Sequence, residues 1–509
     1  MPLAWRVDIK FTPTLVNFMP EQDFDAIIIG AGLGGLLSAA QLLQRGKRVV
    51  VLERLPHSGG RFTAKTFQGV QVSTGAVHMV PFGSSGVLAG MLRRLNVPHR
   101  LFDADVFASF HVHGKQIRSR GLLGIFKVLG PRQFFWFTRI GYLMFLRRLP
   151  AHEGALPFRT WLGRHIDVKR NPELVRFFEC ISRFALSLEL NAVSTSEVIS
   201  TTKNMFRYGA PGILEGGCGA LTGELERRLL EQGADLRLRH DVLQILQEDG
   251  RVTGVRIRHK ASGEECVLHA PLIVSDIGPR ATNALLSNQP ITQAEVLKIQ
   301  GEQEGQPEAI GLKVHILSDV SLIPHKGIMY CLDTVRIAGM VQPTNSDPRL
   351  APAGKHLLIS HQVIPADSSA TLEKEKQLAL ADLRTLFGET FDKHCRVLTM
   401  SAYRGEWPVN RLAQGADVAP DTSVQGLYLV GDGVKPSGYL MVEGVAQSVN
   451  SFLDLLDASE EDQADTSVLS TIMGAMNCAP TFTRRTRNVA LPPSRFRALR
   501  WLWEAPGNS

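Results

Sequence analysis

Cysteine is scarce, with six in 509 residues (180, 218, 266, 331, 395 and 478), and none falls in a C-x-x-C pair or at a metal-ligand spacing. That pattern predicts free thiols in a reducing compartment and no metal centre. Apolar runs of 18 residues are also missing, which excludes an obvious membrane-spanning helix. Residues 1–22 are broken by Arg6, Lys10, Pro13 and Pro20. They lack the apolar core of a secretory signal, so the expectation is an intracellular protein that is not secreted. The G-x-S-x-G and H-E-x-x-H signatures are absent, as are internal repeats. Acidic residues are missing from two long stretches, 106–152 and 466–503. With 44% hydrophobic residues the chain is rich enough for globular cores and too polar for a polytopic membrane protein. Its length calls for two or three interleaved domains.

Two nucleotide-binding segments stand at opposite ends of the chain. The first is DAIIIGAGLGGLLSAAQLLQRGKRVVVLER, residues 25–54. An apolar run to Ile29 reads as a buried parallel strand, Leu36 to Leu43 as an apolar helix face, and Val49–Leu52 as a second strand. Gly30, Gly32 and Gly35 fill G-x-G-x-x-G, with Gly34 beside them. The first allows a tight turn, the second a close approach of pyrophosphate, the third close packing of helix on strand. The helix N-terminus would hold the phosphates. Glu53, at the end of the second strand, is the acid expected on the ribose hydroxyls. The second segment is GLYLVGDGVKPSGYLMVEGVAQSV, residues 426–449. One large cofactor gripped by both ends points to FAD.

Arg54 and Ser58-Gly59-Gly60-Arg61 follow, giving a close backbone approach and a fixed positive charge for the pyrophosphate. Here the sequence resembles the flavin amine oxidase superfamily, in its phytoene desaturase and carotenoid isomerase-like branch. The resemblance continues at Gly75-Ala76-Val77-His78, which it brings near the flavin ring, at 217–242, where it puts an adenine contact at Val242, and at Leu272–Asp276, a strand of the nucleotide fold. At the far end it implies Gly431 and Asp432 beside the ribityl or phosphate region, and a helix opening at Glu443, Gly444 and Val445 near the pyrimidine. No cysteine lies between 396 and 477, so non-covalent FAD is expected. The implied fold is α/β: a Rossmann-type FAD-binding domain assembled from 22–100, 207–290 and 395–457, with an inserted α+β substrate domain built from a helical insertion, 101–206, and a strand-rich segment, 291–394. Strands over Ile310–Leu317 and His356–Val363 would form a sheet over the flavin. Residues 458–465 read as a linker to a basic-aromatic tail ending at 509.

The flavin would carry the chemistry, and the protein would supply orientation, dryness and electrostatics. The resemblance implies hydride transfer between a substrate carbon and flavin N5, on a hydrophobic isoprenoid or carotenoid-type substrate, with quinone or oxygen as acceptor. The alternative is an amine oxidase or a porphyrinogen-oxidase-like enzyme, for which Lys313 and Trp407 are candidate flavin-side residues. His78 is a third candidate, or a structural histidine. A remoter alternative is a flavin-free prenyl-lipid carrier of the same fold. Between 115 and 148 eight cations alternate with Phe126, Phe134, Phe135, Trp136, Phe137, Tyr142 and Phe145. Here Gly121–Leu149 reads as helices broken at Gly130-Pro131, suited to the headgroup layer of a membrane on its cytoplasmic or organellar face. The cap of a substrate tunnel is the other reading. The net charge of +7 is compatible with nucleic acid, but no nucleic-acid module is recognisable, and none is expected as a partner.

Overall fold

The structure is a computed structural model that describes residues 22–477 except 76, 120, 287–309 and 366–367. Residues 1–21, part of the expected substrate domain, and the basic tail from 478 therefore lie outside the described residues. A parallel five-stranded sheet runs in the order Asp235–Leu238, Val49–Glu53, Ala26–Ile29, Ile273–Ser275, Leu427–Leu429. The first two strands in the chain, Ala26–Ile29 and Val49–Glu53, are buried at every residue, as continuous apolar runs covered on both faces should be. Helix Leu33–Gln44 crosses between them. The strand order turns back on itself at the first strand, and a crevice opens there beyond the carboxyl ends of the strands.

A second sheet has seven strands, in the order Cys395–Tyr403, Ile310–Ser318, His356–Ile364, Gly339–Val341, Ile328–Cys331, Ala108–Val112, Lys115–Ser119. Its two-residue alternation decides what faces the site. Leu312, Val314 and Ile316 pack with Ala379 and Leu383 of helix Leu372–Phe387. Lys313 and His315, one step out of phase, point the other way. The opposite side of this sheet is covered by helices, among them Pro172–Ala185, through Phe110, Phe177, Tyr330 and Ile359.

The two strands expected over the flavin are present as an antiparallel pair, Ile310–Ser318 with His356–Ile364. Three features differ from expectation. Strands Ala108–Val112 and Lys115–Ser119 lie in a segment read as helical, and Cys395–Tyr403 pairs with Ile310–Ser318 in the seven-stranded sheet rather than with the nucleotide fold. The supposed linker 458–465 is helical, inside a helix running Met441–Asn477. Between Val445 and Met473 that helix contains neither glycine nor proline, so nothing in the sequence terminates it. The chain divides into two compact units, Met1–Asp454, which holds both sheets, and Leu455–Ser509. Helix Gly121–Phe145 is broken at Gly130, which takes the left-handed φ of 68° just before Pro131, as the Gly-Pro pair predicts.

Candidate functional site

The carboxyl ends of the parallel strands border a cavity of about 530 Å³. At its centre Gly30 makes the tight turn out of the first strand with φ of 97°, open to glycine and unfavourable to other residues. The N-cap residue, Gly32, has no side chain to cap the helix that begins at Leu33, and in its first turn the Gly35 N–H is met by Asp276. The N–H groups of its first turn thus form a positive end facing the cavity. Glu53 is buried behind this turn. Its Oε2 accepts from the Ala31 N–H (2.8 Å) and its Oε1 from the Leu55 N–H (2.8 Å). Asp276, at the end of the strand Ile273–Ser275, reaches in from the other side and accepts from the Gly35 N–H at 3.0 Å.

A charged network closes the wall opposite. The Arg61 guanidinium donates to the Pro408 and Val409 carbonyls (2.7 and 3.0 Å) and to Asp432 Oδ2 (2.5 Å). The same Oδ2 accepts from the Arg411 N–H at 2.8 Å, and Lys435 Nζ bridges Asp432 to Asp417. Burial opposes charge on Asp432, but Lys435 and Arg61 outweigh it and hold the carboxyl well below the usual range. Burial lowers the Arg411 guanidinium from its ordinary value.

The cavity has two further reaches. One passes Glu53, Arg54, His240 and Asp241 to Val242, where the strand register shifts between Val242 and Gln244 and frees the ladder locally. The other is lined by Val77, Phe184, Ser187, Lys313, His361, Tyr403 and Met441. Burial lowers Lys313 to about 7, and its ammonium nitrogen stands 5.1 Å from the centre of the Tyr403 ring. Burial also drives His361 well below its usual range, helped by Lys313. Its Nε2 meets the Ser187 hydroxyl at 2.9 Å, whereas Nδ1 is buried without a partner. Burial pushes the Tyr403 phenol up to about 12.

Gly30, Gly32, Gly34, Glu53, Arg54, Gly60, Arg61, Val242, Asp432, Val445, Lys313 and Trp407 all line this one cavity. Gly35 packs its Cα side against the Gly30 carbonyl, where a Cβ would stand 2.0 Å away, and Gly431 faces Asp276 across the turn. Trp407 is at the rim with the Arg54 guanidinium 5.9 Å from its ring centre, and Arg54 pairs with Glu406 at 3.2 Å. His78 does not line the cavity. It is fully buried, its Nε2 meets the Gln71 carbonyl at 2.8 Å, and its Nδ1 accepts from the Cys218 N–H at 3.1 Å. Burial lowers it to about 4, so the neutral ring ties two segments together and has no nitrogen left for a reaction. Glu443 likewise turns from the cavity and accepts from the Phe82 N–H and from the Leu88 N–H at the start of helix Val87–Arg94.

Sequence reading missed Asp276, Arg411, His361, Ser187 and Phe184. Asp276 followed a recognised strand, which was the signal available for it. The others sit on elements joined to the site only by the folding of distant segments.

These residues fit FAD. Glycines 32 and 34 add no side chain at the helix start, Glu53 closes the second strand, and Arg61 supplies a half-buried cation where pyrophosphate would lie. Comparison with known proteins agrees. An uncharacterized protein of Methanocaldococcus jannaschii is 32% identical over 432 residues, 85% of this chain and 99% of its own. The crystal structure of an oxidoreductase from Methanosarcina mazei matches with a TM-score of 0.75 at 32% identity, over 84% of this chain and 99% of that one. The chloroplastic prolycopene isomerase of Daucus carota is 25% identical over 387 residues, 66% of this chain and 61% of the isomerase. Residues 33–448 match the family described as flavin containing amine oxidoreductase. The chain belongs to that family and is an FAD-dependent oxidoreductase.

Proposed function

We propose that the substrate is a hydrocarbon-rich molecule of isoprenoid or carotenoid type, and that bound FAD supplies hydride exchange at its N5 for desaturation, saturation or isomerisation. The observation that carries this reading is the wall around Lys313. Val77, Phe184 and Met441 make it apolar, and Lys313, His361 and Tyr403 are all driven toward their neutral forms by burial. No carboxylate stands among those lining residues to receive an ammonium. The likeness to a prolycopene isomerase supports the same substrate class. In this reading Gly30, Gly32, Gly34, Gly35, Glu53, Arg54, Gly60, Arg61, Val242, Gly431, Asp432 and Val445 hold FAD without a covalent bond. Lys313, half neutral near pH 7, holds or yields a proton beside the substrate. The dependence on FAD sets aside a flavin-free carrier.

Such a substrate dissolves in lipid, and the surface offers a matching contact. Helix Gly121–Phe145 and its flank expose Leu122, Leu123, Phe135, Tyr142 and Leu146 beside Lys127, Arg132, Arg139, Arg147 and Arg148, and Phe206 packs edge-on against Phe145. Among the described residues no helix is long and apolar enough to cross a membrane. We therefore propose peripheral contact with an anionic, intracellular membrane face, and quinone or oxygen as electron acceptor.

A second reading, an amine oxidase, is favoured by Lys313 itself, buried on its strand beside Tyr403. Anaerobic absorption spectra of the purified holoenzyme separate the two. Bleaching of the oxidised flavin bands by extracted membrane isoprenoids, with none from di- and monoamines, is the expected result. Bleaching by amines alone would replace the hydrocarbon reading with the amine one.

A further inference from the structure

A carboxylate in a phosphate cradle needs an explanation, and Asp276 is one. Its backbone N–H continues the parallel pairing to the Ile29 carbonyl at 2.8 Å, which fixes its Cα directly behind the glycine turn. Its side chain then fills the turn. A Cβ on Gly32 would stand 2.3 Å from Oδ2, one on Gly34 2.6 Å from Oδ1, and one on Gly431 1.9 Å from Oδ1. The carboxyl thus lies between the two glycine segments that approach the pyrophosphate, against the first turn of the helix, and borders the cavity. FAD brings two phosphate charges to the same place.

We propose that Asp276 is an FAD-binding residue that acts as the carboxylic acid: the pyrophosphate seats only when this side chain carries a proton, so flavin is bound together with one proton from solvent. This rests on the FAD dependence established above. In the neutral form one oxygen still accepts from Gly35 while the acid O–H becomes a donor toward phosphate. In the charged form the same group repels it across a water-poor gap.

The surroundings agree. The glycine turn contributes no ionisable group. From the strand beyond Ala26–Ile29, Glu53 adds negative charge, while Arg61 and Arg411 oppose it from the far wall. Arg61 is already committed in part to Asp432, which Lys435 also clasps. Arg54 lines the cavity but pairs with Glu406, and Arg280, on the helix after Asp276, is exposed. The carboxyl keeps some exposure to the cavity, with protein on its other sides. Burial is the largest influence on it and lifts it to about 7, against the Gly35 N–H and the two arginines.

The test is the affinity of the full-length chain for FAD between pH 5.5 and 9, read from quenching of flavin fluorescence after the bound flavin has been stripped. The wild type is expected to hold a constant Kd below about pH 6.5 and to lose about tenfold per pH unit above 7, the slope of one linked proton. Calorimetry at pH 8 in buffers of different ionisation enthalpy should count close to one proton taken up per FAD, a readout that needs no variant. Asp276→Asn, which keeps the shape and the acceptor for Gly35, should bind with a flat pH profile. A pH-independent Kd in the wild type, or an Asn variant that retains the wild-type slope, would overturn the proposal. No binding of FAD at any pH would overturn the FAD reading as well.

Discussion

Glu53 shows how one side chain can serve fold and cofactor together. Both of its oxygens already accept backbone N–H groups, from Ala31 and Leu55, so it braces the glycine turn as well as facing the cavity. Glu53→Ala would orphan two N–H groups at a cost of about 1–3 kcal/mol each and should lower both the melting temperature and the flavin-to-protein absorbance ratio. Glu53→Gln keeps an acceptor and should spare most of the stability while still weakening flavin retention. Wild-type flavin content in both variants would remove Glu53 from the ribose contact. Lys313 carries a different kind of prediction. Burial brings its ammonium down to about 7, so it changes charge where most assays are run. The rate of anaerobic flavin reduction by substrate should bend near that pH in the wild type and lose the bend in Lys313→Met. A variant that bends in the same place would assign the titration elsewhere. At this scale the sequence was legible wherever the signal was local. Gly30, Gly32, Gly35, Glu53 and Arg61 follow one another within about thirty residues, and their spacing is itself the chemistry. Asp276 and His361 reach the same cavity from far along the chain, through sheet pairings that no spacing records.

At the scale of elements the period of a strand explains what composition could not. Ile310–Ser318 reads as a plain hydrophobic strand, yet its odd and even positions divide between a helix-covered core and the cavity wall, and that division is what buries an amine. The 458–465 segment was misread for the opposite reason. Its charges resemble a solvated linker, but charged residues without glycine or proline are also good helix formers, and the preceding helix simply continues. For helix Gly121–Phe145, composition and structure meet: the break falls at Gly130, and large apolar side chains stay in water although cores are available nearby. Leaving Leu122, Leu123 and Phe135 exposed forgoes about 1.5–3 kcal/mol for each relative to burial, which a lipid interface would restore. Replacing these three with serine should therefore cut co-sedimentation with anionic vesicles at low salt and leave the melting temperature within about 2 °C. Unchanged sedimentation would remove this helix as the membrane contact.

Across the whole molecule, among the described residues, burial lowers six histidines: His165 and His240, and more strongly four that are held neutral inside protein. Burial is the first cause in each case: His78 and His325 are lowered to about 4, His315 to about 3, and His361 well below its usual range. In an unfolded chain each would take its proton near pH 6.5. Between pH 6.5 and 4 the unfolded state therefore binds more protons at these sites than the folded one, and stability must fall as the pH falls through that window. Four carboxyls raised by burial act in the opposite sense, Glu179 and Asp417 among them. Asp276 and Glu443 are lifted to about 7, so their folded forms take up protons earlier than their unfolded forms and gain stability over much of the same range. Six histidines against four carboxyls leaves the balance with the histidines, and the melting temperature should decline from pH 6.5 to pH 4.5. His315, which bridges Ser73 and Thr399 between separate strands, is the most useful one to test. His315→Gln retains hydrogen-bonding capacity but cannot titrate, so its decline over that window should be shallower than the wild type's by about one proton's share. A parallel decline in the two proteins would place the acid sensitivity outside this buried set.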